Sequence, residues 1–240
     1  MALSPAAKSE LAPTGKLRVG INYGNFLLVT RHSDTEYTGI AVDLGRELGQ
    51  RLGVPVDLVA FATAGKLADA VKAGTWDVAF LGNEPQRAGD IAFSPPYLEI
   101  EAGYLVPAGS PIKTMADVDK KGVRIAVAVN SAYDLYLSRT LKRATLVRVQ
   151  GIQGSYDTFV KDKLEVLSGL KPRLVTDCET LPGSRILDGR FTVVQQSVGT
   201  PQGRPAGAKY IGEFAQDVKK SGFVAQAIAR HAVRGVSVAS

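Results

Sequence analysis

Cysteine, histidine and aromatic residues are scarce in this chain of 240 residues. The single cysteine, Cys178, excludes an internal disulfide framework and cannot by itself form a structural zinc site. Two histidines, His32 and His231, leave little material for a histidine-based metal centre or a Ser-His-Asp relay, so most hydrolase and metalloenzyme chemistries are disfavoured. Neither histidine lies near Cys178 in sequence, which argues for a buried or edge thiol rather than a nucleophile, and His231 reads as a solvent-facing residue of the last helix. No run approaches the roughly 18 apolar residues of a membrane-spanning helix. No basic helix and no aromatic platform marks a nucleic-acid surface.

What is present is a globular composition, 45% hydrophobic and 22% charged, with enough apolar residues to exclude wholesale disorder. The length allows one large domain or two of about 100–120 residues. The net charge is +6, and most of it lies in residues 106–194, where 14 Lys and Arg face 9 Asp and Glu. That excess is either a diffuse solvated surface or an electropositive site for an anionic group.

Residues 1–15 are small, polar and punctuated by proline, and are expected to be a flexible leader. They lack the apolar core of a secretory signal, which leaves two compartments open: extracytoplasmic after removal of a signal, or cytoplasmic. An alternating strand is predicted at 17–21, followed by an Asn- and Gly-rich loop at 22–26. Gly39 opens a helix in which Val42, Leu44, Leu48 and Leu52 lie at helical spacing and which Gly53 ends. A strand at 54–61, a helix at 66–73 and a buried strand at 76–82 complete the rhythm of a parallel sheet with helical crossovers. The pattern repeats after residue 107, with a strand at 123–129, a helix N-capped by Ser131, a strand at 146–149, a helix at 156–163 and a short strand at 164–167. Residues 174–179 admit either a strand ending in an acid or, given Pro172 and Pro182, a short helix, which is preferred. Strand-like pieces follow at 184–187 and 191–195, then a loop at 200–205, and helices at 206–220 and 223–232 close the chain.

Six motifs stand in one order: LRVG at 17–20, TGIAVDL at 38–44, LADAVKAGTWDVA at 67–79, PQRA at 85–88 with IAFSPPY at 91–97, YLVPAGSPI at 104–112, and GVRIAV at 122–127. Together they resemble the family-3 extracellular solute-binding proteins, the receptors of amino-acid ABC transporters, over nearly the whole chain. The resemblance implies an α/β fold of two Rossmann-like lobes joined by two crossing hinge strands, the periplasmic binding protein type 2 architecture, which closes over a ligand held between the lobes. Lobe 1 would comprise residues 16–104 and 196–240, and lobe 2 residues 105–195. The implied partners are a small carboxylate-bearing solute and an ABC permease; no cofactor, metal or nucleic acid is expected, and the chain is expected to be monomeric.

The resemblance also assigns residues. Arg87 would grip the ligand's carboxylate with its planar fork. Phe80, Gly82, Asn83 and Glu84 precede it at the strand end, and Asn22, Tyr23, Asn25 and Phe26 occupy the first strand-end loop. In lobe 2, Asn130, Ser131, Ala132 and Tyr133 begin a helix whose free N–H groups suit an anion. Two departures bear on the ligand. Glu84 stands where the family commonly has threonine, and Leu170-Lys171 stands where it places an aspartate for the ligand's ammonium. Either Glu84 supplies the missing negative charge, or the ligand is a simple anion met by Arg87 and Lys171. Two other classes remain open: a cyclohexadienyl-dehydratase-like enzyme using Glu84 or the acids of 177–179, and a cytosolic ligand sensor without a transporter.

Overall fold

The computed structural model describes residues 3–240. The elements, in chain order, begin with α1 (Pro5–Leu11), β1 (Leu17–Asn22), β2 (Thr30–Arg31), β3 (Tyr37–Thr38), α2 (Ile40–Leu52), β4 (Val56–Phe61), α3 (Ala64–Asp69), β5 (Val78–Gly82), a 3-10 turn at Pro85–Arg87, β6 (Ile91–Phe93) and β7 (Leu98–Val106). After a second 3-10 turn at Met115–Asp117 come β8 (Arg124–Ala128), α4 (Ala132–Thr140), β9 (Thr145–Val149), α5 (Gly151–Lys161), β10 (Val166–Leu170), α6 (Lys171–Glu179), β11 (Arg185–Ile186), β12 (Thr192–Pro201), α7 (Pro205–Lys220), α8 (Phe223–Arg230) and β13 (Val236–Val238). The chain divides into two compact units. Unit 1 holds the described residues up to Glu99 together with Gln195–Ser240, and unit 2 holds Ile100–Val194, so β7 and β12 carry the chain from one to the other. Among the described residues no helix is long and apolar enough to cross a membrane.

In unit 1 the strand order is β4-β1-β5-β12, with β4, β1 and β5 parallel, β12 antiparallel to β5, and β6 paired to β12. Helix α2 lies on this sheet through Ile40, Val42, Leu44, Leu48 and Leu52. It can approach closely because Gly49 has no side chain: a Cβ there would stand 2.2 Å from a methyl group of Val56. The helix opens at Gly39, whose φ of 126° favours glycine and whose added Cβ would meet the Leu28 carbonyl oxygen at 2.3 Å. Leu67, Val71, Trp76, Ala79, Leu81 and Ile91 form a core on this unit, closed by a hydrogen bond from Trp76 Nε1 to the Leu67 carbonyl, 2.9 Å.

Unit 2 repeats the principle. Its parallel strands β10, β8 and β9 lie side by side, with β7 antiparallel to β10 and β11 on β7. Leu105, Ala126, Phe159, Leu164, Leu167 and Leu174 are packed together beneath α5 and α6. Both units are therefore α/β, as the strand–helix rhythm requires.

Several expectations are corrected. Pro5–Leu11 is a helix, not part of a flexible leader: Ser4 caps it by accepting from the Ala7 N–H, and Ala7 and Leu11 are buried. Glu10 accepts from the Gly207 N–H at 2.7 Å, tying it to α7. The first two residues of that predicted leader lie outside the described ones. Helix α5 starts at Gly151 rather than 156, and β10 runs to Leu170 rather than stopping at 167. Residues 200–201, read as loop, extend β12 because β6 pairs with them. His231 is not turned to solvent; it caps α8 and its Nε2 lies 2.8 Å from Asp43 at the start of α2. The 174–179 segment is the helix that was preferred.

The start of β5 is held by charge. Asp77, fully buried, accepts from the Arg18 backbone N–H, from Arg18 Nε at 2.9 Å and Nη2 at 2.8 Å, and from Arg204 Nη1 at 3.1 Å. Removing one partner of such a cluster leaves uncompensated cations. Asp77→Ala is expected to lower unfolding stability by about 3–5 kcal/mol in urea titration, with Asp77→Asn losing less; an unchanged midpoint for Asp77→Ala would contradict this role.

Candidate functional site

Strands β1 and β5 are adjacent and parallel, so their carboxyl ends deliver Asn22 and Gly82 to one edge of unit 1. Beyond Gly82 the chain turns at once. Asn83 donates its N–H to the Gln195 carbonyl at 2.8 Å, Glu84 is extended, and Pro85 starts the 3-10 turn with its fixed φ. The Arg87 N–H closes the turn on the Glu84 carbonyl at 2.9 Å. This brings the Arg87 side chain back along the strand end, where Nη1 donates to the Gly82 carbonyl at 2.7 Å. Arg87 is only 6% exposed and Glu84, on the same turn, 5%. Burial draws the guanidinium down to about 10 from its ordinary value, against the opposing pull of Glu84 and Asp69. A cation held this way is stabilised by any further negative group that reaches it.

The first loop divides its work. Asn22 Oδ1 accepts from the Gly24 N–H and Asn25 Oδ1 from the Leu27 N–H, so both side chains shape the loop. The ring of Tyr23 is stacked on Tyr37 with centroids 6.2 Å apart and carries the Arg31 guanidinium 4.9 Å above it. Phe26, 45% exposed, is the apolar side chain that this loop presents to its surroundings. The Phe80 ring is buried, edge-on to Tyr97 at 5.8 Å.

In unit 2 the end of β8 leads into α4. Ser131 is the N-cap, accepting from the Asp134 N–H at 3.1 Å, while Asp134 Oδ2 accepts from the Asn130 N–H at 2.8 Å. Asn130 adopts a φ of 56°, which asparagine tolerates better than most residues. Ala132 and Tyr133 fill the first helical turn and are buried. Asp134 also takes Arg148 Nε at 3.0 Å, so the turn's own acid is already paired. Lys171 opens α6 and carries an ion pair. Its ammonium lies 2.7 Å from Glu101, which also holds Arg190 at 2.6 Å. Together these two cations hold the Glu101 carboxyl below the usual range.

Sequence reasoning missed Glu101, Arg190 and the Arg173–Asp177 pair, 2.7 Å apart. Burial raises Asp177 while Arg173 lowers it, the former prevailing. It also missed the hub at Asp134, although Ser131-x-x-Asp134 is a readable variant of the capping box. Among the described residues Tyr97, Gln196 and Ser197 of unit 1 each bury a side-chain oxygen without a hydrogen-bond partner. An unmet buried hydroxyl costs stability. Tyr97→Phe is therefore expected to raise ligand-free stability by about 1 kcal/mol, read as a higher urea midpoint; a loss of more than that would show that the hydroxyl is engaged.

Residues 17–233 match the family model for bacterial extracellular solute-binding proteins, family 3. The chain is 24% identical over 231 residues to the lysine/arginine/ornithine-binding periplasmic protein of Escherichia coli K12, covering 90% of this chain and 88% of that one. Among solved structures it is similar to the solute receptor for L-cysteine of Neisseria gonorrhoeae, with a TM-score of 0.80 at 18% identity over 97% of this chain and 96% of that one. It is also similar to the ancestral amino acid-binding protein AncCDT-1, a precursor of cyclohexadienyl dehydratase, with a TM-score of 0.76 at 21% identity over 93% and 98%. Likeness at these identities carries the fold alone, whereas the family match spans both α/β units and the turn bearing Arg87. The chain belongs to the family-3 bacterial extracellular solute-binding proteins.

Proposed function

We propose that this protein captures a small carboxylate-bearing solute, an amino acid or related organic acid, and delivers it to an ABC importer. The observation that carries the reading is the buried Arg87 guanidinium, tethered by one nitrogen to the Gly82 carbonyl at the end of a parallel strand. The fork geometry of arginine suits a carboxylate, and a buried cation gains most from an anion that displaces water around it. The E. coli relative carries lysine, arginine and ornithine in its name, which supports an amino acid as the first compound class to test. The family is extracellular, which supports work outside the cytoplasm in contact with a permease.

The dehydratase reading receives less support. Of its candidate acids Asp177 is engaged by Arg173, which leaves Glu179 and the buried Glu84 to protonate a leaving hydroxide. Prephenate and arogenate belong in the same screen, with ring aromatisation as the readout.

The test is a thermal-shift screen over amino acids, dicarboxylates, keto acids and small aromatic acids, where a ligand at 100 times its dissociation constant adds about 2.7 kcal/mol. Arg87→Ala should weaken every hit by roughly 30-fold or more, the loss of about 2 kcal/mol or more that follows truncation of a buried charge pair. Arg87→Lys, which keeps the charge but loses the fork, should fall between. Undiminished carboxylate binding by a folded Arg87→Ala protein would sink the assignment.

A further inference from the structure

We propose that unit 2 carries a ligand site of its own, independent of the Arg87 turn, for a small amphipathic monocarboxylic acid, a medium-chain fatty acid such as octanoate. The site is a cavity of about 380 Å³, at the lower end of the ~300–1,000 Å³ that small-molecule sites occupy. Ala108, Phe159, Val160, Leu164, Leu181 and Pro182 form most of its wall. Phe159, Leu164 and Leu181 also belong to the core of unit 2, so the cavity is apolar down to its floor. Its place follows from the sheet register. Strands β7 and β10 are antiparallel with Leu105 opposite Leu167, which brings the residues just past β7 beside those just before β10. That is the amino end of the parallel strands β8 and β10, whereas the turn at 130–133 follows the carboxyl end of β8.

Two polar side chains border the cavity, Lys163 and Ser184. The Ser184 hydroxyl donates to the Leu181 carbonyl at 2.7 Å. The Lys163 ammonium has neither an ion pair nor a hydrogen bond among the described residues. Its backbone is held in a costly shape. Lys163 has a φ of 48° and directly follows Asp162, the C-cap of α5, a position where glycine is the usual choice. The Leu164 N–H returns to the Phe159 carbonyl at 3.1 Å and the Lys163 N–H to the Val160 carbonyl at 3.4 Å, the paired bonds that close a helix on such a residue. Arg124 Nη2 donates to the Lys163 carbonyl at 2.9 Å. A lysine thus stands where glycine would be less strained, and it sets a cation at the rim of an apolar hole. An acid with a hydrocarbon tail complements both parts: the tail leaves water against the wall, and the carboxylate pairs with the ammonium. A docked protein is a poorer fit. Val160 and Val175 are the large apolar side chains exposed among the described residues of unit 2, at 43% and 50%, too little for the roughly 800 Å² that a partner usually covers.

Calorimetry on the full chain with butyrate, octanoate and 1-octanol tests the site. Octanoate should bind the wild type at least tenfold tighter than butyrate, since each fully buried methylene is worth about fourfold. Lys163→Gln should weaken octanoate about fivefold or more, the scale of one ion pair leaving water, and leave octanol unchanged. Lys163→Gly should weaken octanoate equally while raising the urea midpoint, because glycine relieves the left-handed backbone. Val160→Glu, a change at an exposed position, should also weaken octanoate. A higher midpoint in Lys163→Gly with octanoate binding intact overturns the proposal, since that is what a merely structural lysine would give. Butyrate binding as tightly as octanoate, or equal weakening of octanoate and octanol in Lys163→Gln, overturns it as well. Octanoate binding that vanishes in a folded Arg87→Ala protein and persists in Lys163→Gln would assign the acid to unit 1 and overturn this site while leaving the Arg87 reading standing. Co-sedimentation with phosphatidylglycerol vesicles separates free acid from membrane acyl chains: association with vesicles and no binding of free octanoate also overturns it. The wild-type comparison of chain lengths needs no variant, so it decides even if a substituted chain fails to fold.

Discussion

A guanidinium buried at the end of a β-strand is a costly thing to build, and the local structure of unit 1 is organised around carrying that cost. Moving a charge out of water is penalised by several kcal/mol even after relaxation. Here the penalty is visible as a guanidinium whose proton is held less tightly than usual, down to about 10. The Gly82 carbonyl, accepting at 2.7 Å, and the fields of Glu84 and Asp69 offset part of it. The geometry that makes this possible is short-range: a strand, an extended Glu84, and a proline-led turn that sends the seventh position of the segment 81–87 back over its start.

The rest of the fold keeps that strand end still. Asp77, at the other end of the same run, is gripped by Arg18 and Arg204, and Thr200 donates to its carbonyl. The β5 strand between them is fully buried, with Trp76, Leu81 and Ile91 on one side and Phe80 and Tyr97 in contact on the other. Interiors packed this way transmit displacement rather than absorb it, so the position of Arg87 inherits the rigidity of the sheet. In unit 2 the same economy appears in a different form. Asp134 serves Asn130, Ser138 and Arg148 at once, fixing the entry to α4, and Asp119 accepts from three successive backbone N–H groups at 142–144. Lys120, Arg124, Arg148, Lys171, Arg173 and Arg190 of this unit are engaged in ion pairs with its own carboxylates.

Much of this was legible before any coordinates, and the exceptions share a cause. Strand β1, helix α2 and strand β5 follow from periodicity and from the glycines at 39 and 53, all local signals. The candidate turn at 82–87 was readable as a motif, and the glutamate at 84 as a departure from it. What failed depended on distant partners. Helix α1 has only Ala7 and Leu11 to bury, and it exists because α7, some 200 residues later, receives them. The contact of the Phe80 ring with Tyr97 was not legible because a strand buried on both faces carries no alternation to say which side a ring takes. Lys171 looked available because Glu101, its partner, lies 70 residues earlier. His231 looked exposed because Asp43 lies 188 residues away. Charge pairing across long sequence separations is the information that composition and spacing do not contain.

The most direct measurement of the central claim is a crystal structure of the protein with the amino acid that stabilises it most. The account predicts a solute carboxylate within about 3 Å of the Arg87 guanidinium nitrogens, the separation of a charge-assisted hydrogen bond, with the Gly82 contact retained. A solute seated elsewhere, with Arg87 touching only protein, would contradict it.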